Sequence, residues 1–443
     1  MSLYNEPIVT PFQNGLTLVN LTNSLLNTSL IGFKVGSRND PVWCNGLAHW
    51  WEHMLCRRSK EHDDRIVNLL MRRHFGGSDG DGIKVCTTES IMMFGHADLL
   101  TRRYLKKDVF PVMAPMVRDG IHALRVMHAP NDVILTDKAV RVEKAAVHNE
   151  TRRNDDLPDV SSYKAALQLL YTASPHRNFG DSHPGQLRTL KLGRAKLWAQ
   201  GQFVPSKMVV ILMGPSQAEA VRMVRQYGLN EIPNWEATPA VVPTDEITPK
   251  LAGVREGVIV WPHLWQTHVR LLWPVGPYGS PDDEALQVLA PVLKDRIEEA
   301  LREENELYDG GVYHPFVEWD ASSTHGLIDV WFATVGDRGH REQLVERVLK
   351  VACDISQDTS TAFEEHVDAA RRNEADEFIE AYRYVPSTFA EWMLAAIASG
   401  DTDLEKFKRF HYDIMRVTPK MVREAARKWL HPDCYVRVTV DRD

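Results

Sequence analysis

The chain is poor in cysteine and contains no long apolar run. Its five cysteines, Cys44, Cys56, Cys86, Cys353 and Cys434, are odd in number and show no paired spacing. That pattern excludes a disulfide-stapled framework and fits the reduced thiols of a cytoplasmic protein. No apolar stretch approaches the roughly 20 residues that a membrane helix needs. The opening Met1-Ser2-Leu3-Tyr4-Asn5-Glu6-Pro7 lacks a basic segment followed by an apolar run, so no secretory signal is expected there. Positive charge is not in excess either: 52 Lys and Arg stand against 60 Asp and Glu, a net charge of −8, which argues against nucleic acid as the main partner. What remains is an ordinary globular composition, 44% hydrophobic and 25% charged over 443 residues, long enough for two or more cores.

Against that background one stretch stands out, Gly46-Leu47-Ala48-His49-Trp50-Trp51-Glu52-His53-Met54-Leu55. On a helix of about 3.6 residues per turn, His49 and His53 lie one above the other, so both imidazoles can reach a single metal ion. Glu52 shares their face, where a carboxylate can hydrogen-bond a water on that metal and take its proton. The spacing H-x-x-E-H is the inverzincin signature, the mirror of H-E-x-x-H. The bland alternative is an amphipathic core helix with two satisfied histidines. Catalytic zinc usually takes three protein ligands, so a third should lie elsewhere in the chain.

A second helical segment supplies it: Thr136 to Glu150 carries Glu143 and Glu150 seven residues apart, close to two turns and so on one face. One carboxylate can bind the metal while the other supports the site from behind. Spacing alone leaves open which does which. Cys56, three residues after His53, is an imaginable thiolate ligand, but packing is the simpler role.

In these features the sequence resembles the pitrilysin, insulysin and mitochondrial-processing-peptidase family of zinc peptidases. Asn14-Gly15-Leu16, Val35-Gly36-Ser37-Arg38, Gly76-Gly77 and Phe203-Val204-Pro205-Ser206-Lys207-Met208, leading to Gly214, follow in the family's order. The resemblance implies Zn2+ held by His49, His53 and Glu150, with Glu52 as general base and Glu143 as supporting acid. It also implies two similar α+β domains, each of helices packed on a mostly antiparallel sheet, one active and one silent. The silent half of such proteins often carries an arginine and, about two turns on, a tyrosine that hold the substrate backbone; Arg302 and Tyr308 resemble that pair with a spacing one residue short.

Two departures are visible. The interval of 97 residues from His53 to Glu150 is long for the family, with the surplus assigned to polar segments near Arg57–Asp64 and Arg102–Lys107. Ser78-Asp79-Gly80-Asp81-Gly82 stands where relatives commonly carry Asn-Ala on an edge strand. The second departure bears on substrate preference, since no metal ligand changes.

Read in order, the chain divides into a catalytic domain over 1–232, a linker over 233–250 and a non-catalytic domain over 251–443. Pro233, Pro239, Pro243 and Pro249 mark the linker. Strands are expected at 16–20, 29–35, 82–94 and 208–213, with helices near 65–74, 109–125, 136–150, 193–202 and 216–227. The order then repeats, with strands at 258–261, 268–273, 327–334 and 435–440 and helices at 282–304, 341–353 and 361–382. His268 and the Glu364-Glu365-His366 cluster read as structural or solvated. The activity expected is zinc-dependent endoproteolysis of extended peptides, recognised by addition to the edge strand within 82–94. A chain of this length with one active half is expected to pair with a second subunit, identical or related, around a chamber. The competing expectations are a catalytic subunit that matures a precursor peptide with a partner, and a non-catalytic scaffold subunit of the same fold.

Overall fold

A computed structural model describes residues 5–22, 27–55, 57, 59, 82–98, 110–125, 135–171, 175–177, 184–237, 249–302, 315–322, 324–335 and 337–442. The chain forms two compact units, each assembled from three stretches. The first takes residues 1–152, 178–241 and 378–408; the second takes 153–177, 242–377 and 409–443.

The first unit is built on a six-stranded mixed sheet of order β1-β2-β6-β3-β5-β4. Its strands are β1 (Ile8–Pro11), β2 (Thr17–Thr22), β3 (Asn27–Phe33), β4 (Gly82–Thr87), β5 (Met92–Asp98) and β6 (Met208–Gly214). The stretch expected as one strand over 82–94 is thus two antiparallel strands, paired from Gly82↔Ala97 to Thr87↔Met92. The polar Thr88-Glu89-Ser90 tip makes the turn, with Thr88 N–H bonded to Ile91 O at 2.8 Å. β6 is buried along its apolar run Met208–Met213, as a central strand covered on both faces must be.

Helices α1 (Leu47–Leu55), α2 (Phe110–Arg125), α3 (Asp137–Asp155), α5 (Pro184–Thr189), α6 (Leu192–Gln202) and α7 (Gln217–Gln226) belong wholly or mainly to this unit. So does α11 (Pro386–Ala398), which packs on β3, β5 and β6 although it lies near the other end of the sequence. Gly32 makes that approach possible: a Cβ there would sit 2.3 Å from Leu394 Cδ2. The helix expected near 65–74 lies outside the described residues.

The second unit holds a five-stranded sheet of order β7-β11-β8-β10-β9, from β7 (Arg255–Val260), β8 (Thr267–Pro274), β9 (Phe316–Ser322), β10 (His325–Thr334) and β11 (Val436–Asp441). Its pattern repeats that of the first. β2 runs parallel to β6, and β6, β3, β5 and β4 follow antiparallel. Likewise β7 runs parallel to β11, and β11, β8, β10 and β9 follow antiparallel. Helix α8 (Asp283–Arg302) therefore occupies in this unit the chain position that α1 occupies in the first. Helices α9 (Arg338–Ile355), α10 (Thr361–Tyr384), α12 (Glu405–Ile414) and α13 (Pro419–Trp429) complete the second half of the chain. The molecule is α+β, with two sheets of matching topology.

α4 (Pro158–Leu170) covers sheet two, packing on β7, β8 and β11. Polar contacts fix it there: Arg270 donates to the carbonyl of Asp159, and the Tyr163 hydroxyl donates to Asp320 Oδ2 at 2.8 Å. Relative to the division at 1–232 and 251–443, each half of the sequence thus places one helix against the sheet of the other. Among the described residues no helix is long and apolar enough to cross a membrane.

Candidate metal centre

Helix α1 begins where Gly46, at φ +82°, turns the chain through a backbone region open to glycine. The orphan amides of its first turn are taken by Asp40, which accepts from Gly46 N–H at 2.5 Å and Ala48 N–H at 2.8 Å. Burial pushes the Asp40 carboxyl up to about 8, against backbone hydrogen bonds that favour its charged form. Asn45, adjacent to the helix start in sequence, donates its N–H to Gln186 Oε1 at 2.7 Å. The loop before the helix is pinned to the β4–β5 turn by Ser37 N–H to Thr88 O at 3.0 Å and Arg38 N–H to Glu89 O at 3.1 Å. Gly36 is required at this crossing, since a Cβ would meet the Glu89 and Thr88 carbonyl oxygens at 2.4 Å.

α1 is buried nearly all round. Leu47, Trp50, Trp51, Met54 and Leu55 are at most 1% exposed, and at roughly 25 cal/mol per Å² of apolar area they anchor the helix by several kcal/mol. It packs against β4, β5 and α2. An anchor of this kind fixes the direction in which the polar side chains of the helix, His49, Glu52 and His53, are presented.

These meet α3. Glu150 Oε2 lies 3.7 Å from His49 Nε2 and 3.4 Å from His53 Nε2, and the three ligand atoms lie within 4.8 Å of one another. A tetrahedral ion with bonds of about 2.0–2.1 Å has ligand–ligand edges of roughly 3.3 Å, so the set fits zinc with little adjustment. Two imidazoles and one carboxylate also form a donor set typical of zinc peptidases, leaving a fourth position open. The Glu150 side chain is 37% exposed, so solvent reaches that side.

Glu143, two turns before Glu150 on α3, faces the other nitrogen of His53: Oε2 is 3.2 Å from Nδ1. Burial disfavours a charged His53 ring, yet hydrogen bonds to Glu143 and Glu150, with the charges of Glu52 and Glu150, raise it to about 9. Glu52 is 6% exposed. Burial raises its carboxyl to about 7, tempered by the Thr87 hydroxyl, which donates to Oε2 at 2.7 Å.

Thus the four residues read from spacing, His49, Glu52, His53 and Glu150, are brought together, and Glu143 stands behind His53. Arg302 closes α8, and its side chain lies outside the described set, as do Tyr308, Cys56 and the surplus at 60–64 and 102–107. His268 stacks on Trp331, and His366 Nε2 faces Glu299 Oε1 at 3.1 Å, both structural arrangements. Three residues at the centre escaped the sequence reading: Asp40, Thr87 and Arg57, the last donating to Glu143 Oε1. Arg57 does lie four residues past His53, the separation that links neighbours on a helix; Thr87 and Asp40 carry no comparable local signal.

Residues 195–373 match the family described as Peptidase M16 inactive domain. That segment begins after α3, so the centre lies outside it. No curated protein matches the sequence. Solved structures share the fold over nearly the whole chain. A protease from Helicobacter pylori superposes with a TM-score of 0.81 at 15% identity, covering 99% of this chain and 100% of its own. A chain of complex III from Candida albicans gives 0.74 at 11%, covering 98% and 96%. The periplasmic protease PqqL from Escherichia coli gives 0.72 at 13%, covering 100% of this chain but 48% of its own. The fold is that of M16-like peptidases.

Proposed function

We propose that this M16-like chain is a zinc-dependent endopeptidase acting on extended, unfolded peptides. The observation that carries the reading is the convergence of His49 Nε2, His53 Nε2 and Glu150 Oε2, with Glu52 one residue from His53 on the same helix. The three would hold the ion and leave one side open to solvent. A bound zinc supplies an activated water and positive charge for the oxyanion that develops on the scissile carbonyl. Glu52, held near neutrality by burial, takes a proton as the water attacks and returns it to the leaving amine. Glu143 accepts from His53 Nδ1–H, which leaves Nε2 as the ligand nitrogen.

Among the described residues β4 is the outer strand of its sheet, and Thr87 at its end touches Glu52. A substrate strand added to β4 would run beside the general base, a mode that reads extended backbone rather than folded surface. Arg302 and Tyr308 are retained as candidate substrate holders.

We infer further that this chain works as a dimer, with itself or with a related subunit, enclosing a chamber; its likeness to about half of the PqqL chain supports the reading. In the heterodimeric form it would be the catalytic member that matures a precursor peptide, active only when its partner is present. A scaffold role is the reading from another class; it draws on the likeness to a complex III chain and on the word inactive in the matched family description. The complete His49, Glu52, His53 and Glu150 set favours catalysis. A cytoplasmic setting belongs to the same proposal, since the five cysteines are odd in number and show no paired spacing. Digestion of an unstructured peptide by the wild type and by Glu52→Gln tests the proposal: cleavage should vanish in the variant while zinc stays bound, and equal turnover in both would refute it.

A further inference from the structure

We propose that Arg57 is a positioning residue of the metal centre, acting through Glu143 on the ring of His53. The inference rests on the zinc reading above and adds a residue to which the family resemblance gives no role. Arg57 lies two residues past the end of α1, and its Nη1 donates to Glu143 Oε1. The other oxygen of the same carboxylate, Oε2, lies 3.2 Å from His53 Nδ1. Each oxygen of Glu143 therefore has a separate task, one held by a guanidinium and one holding an imidazole. The three side chains are 17%, 15% and 20% exposed, sheltered enough for the chain of contacts to keep its geometry.

The chemistry gives the chain a direction. Arg57 Nη1 occupies Glu143 Oε1 and fixes the plane of that carboxyl group, so Oε2 is the oxygen left facing His53. With Nδ1 of His53 turned to Glu143 Oε2, its Nε2 is turned to Glu150 Oε2, 3.4 Å away. Outer contacts of this kind orient ligand rings, and their loss commonly costs 10- to 100-fold in metal affinity. Without Arg57, Glu143 loses the contact that aims it, and the ring of His53 can rotate.

A purely structural ion pair joining the α1 end to α3 would lower stability and leave the zinc affinity of the folded protein alone. The deciding measurement is zinc affinity of the full-length protein by competition with a chromophoric chelator, with zinc as the only probe. Arg57→Met should bind zinc about 10- to 100-fold more weakly. Arg57→Lys, which keeps a charge but not the planar fork, should recover part of that loss. In a Glu143→Gln background Arg57→Met should change affinity less than about twofold, because residues in one network do not add. The visible spectrum of the cobalt-substituted protein should change between wild type and Arg57→Met, as ring orientation at the ion changes. If Arg57→Met does not fold, Arg57→Gln, which keeps a donor and loses the charge, serves instead. Zinc affinity within twofold of wild type, or losses from Arg57 and Glu143 that multiply, would overturn the proposal. A wild type that binds no zinc would overturn the peptidase reading together with it, an outcome separate from failure at Arg57 alone.

Discussion

The hydroxyl of Thr87 donates to Glu52 Oε2 at 2.7 Å, tying the end of the outer strand β4 to the acid on α1. One hydrogen bond therefore joins the strand that would receive a peptide to the group that would move its proton. Thr87→Val, nearly the same shape, removes the donor and lets the carboxylate turn; kcat on an unstructured peptide should fall about 10-fold or more, the scale of a lost charge-assisted hydrogen bond. Thr87→Ser should retain most of the activity, and zinc content should match wild type in both. Full activity in Thr87→Val would show that packing alone orients Glu52.

The contact between Gly32 and Leu394 tests the long-range assembly of the first unit. A methyl group at Gly32 would overlap Leu394, whose side chain is fully buried on α11. Gly32→Ala should cost about 1–3 kcal/mol and Leu394→Ala about 2–5 kcal/mol. Since the smaller side chain makes room for the methyl, the double variant should lose at least about 1 kcal/mol less than the sum. Thermal or urea unfolding measures this; strict additivity would place α11 elsewhere.

Acid–base behaviour of the second unit should be set in part by Glu374. Burial raises its carboxyl from 4.5 to about 7; Gln287, donating at 3.2 Å, lowers it, and the charge of Glu377 adds to the rise. Between those values the folded protein holds a proton that the unfolded chain has released, so for this group stability is greatest below about pH 4.5, falls as pH rises toward about 7 and levels off above it. Glu374→Gln keeps the shape and removes the charge. It should raise stability at pH 8 by on the order of 1–3 kcal/mol and change it little at pH 5, read as a difference in Tm between the two conditions. An equal effect at both pH values would contradict the assignment.

Much of this was legible in the sequence because it is local. The i, i+4 histidines with Glu52, and glutamates seven apart, state helix faces directly, and those faces do meet. The linear order of strands and helices also emerged, including its repetition after residue 250. Other features were illegible for physical reasons. Met92–Asp98 merged with Gly82–Thr87 into one expected strand because the turn between them, Thr88-Glu89-Ser90, contains neither glycine nor proline. The helix Pro158–Leu170 is not among those expected, and nothing local says that Arg270 and Asp320 will hold it on the second sheet. For α11, whose partner Gly32 is more than 350 residues away, the information lies in packing rather than periodicity. Likewise Asp40 caps the start of α1 because the loop folds back, which spacing does not reveal.

The central claim is that α1 and α3 jointly hold one ion. The most direct measurement is zinc content after dialysis against zinc-free buffer, on wild type, Glu150→Gln and Glu52→Gln. The account predicts about one zinc per chain in the wild type and in Glu52→Gln, and a loss of at least about 10-fold in affinity for Glu150→Gln. Zinc retained undiminished by Glu150→Gln, or absent from the wild type, would contradict it.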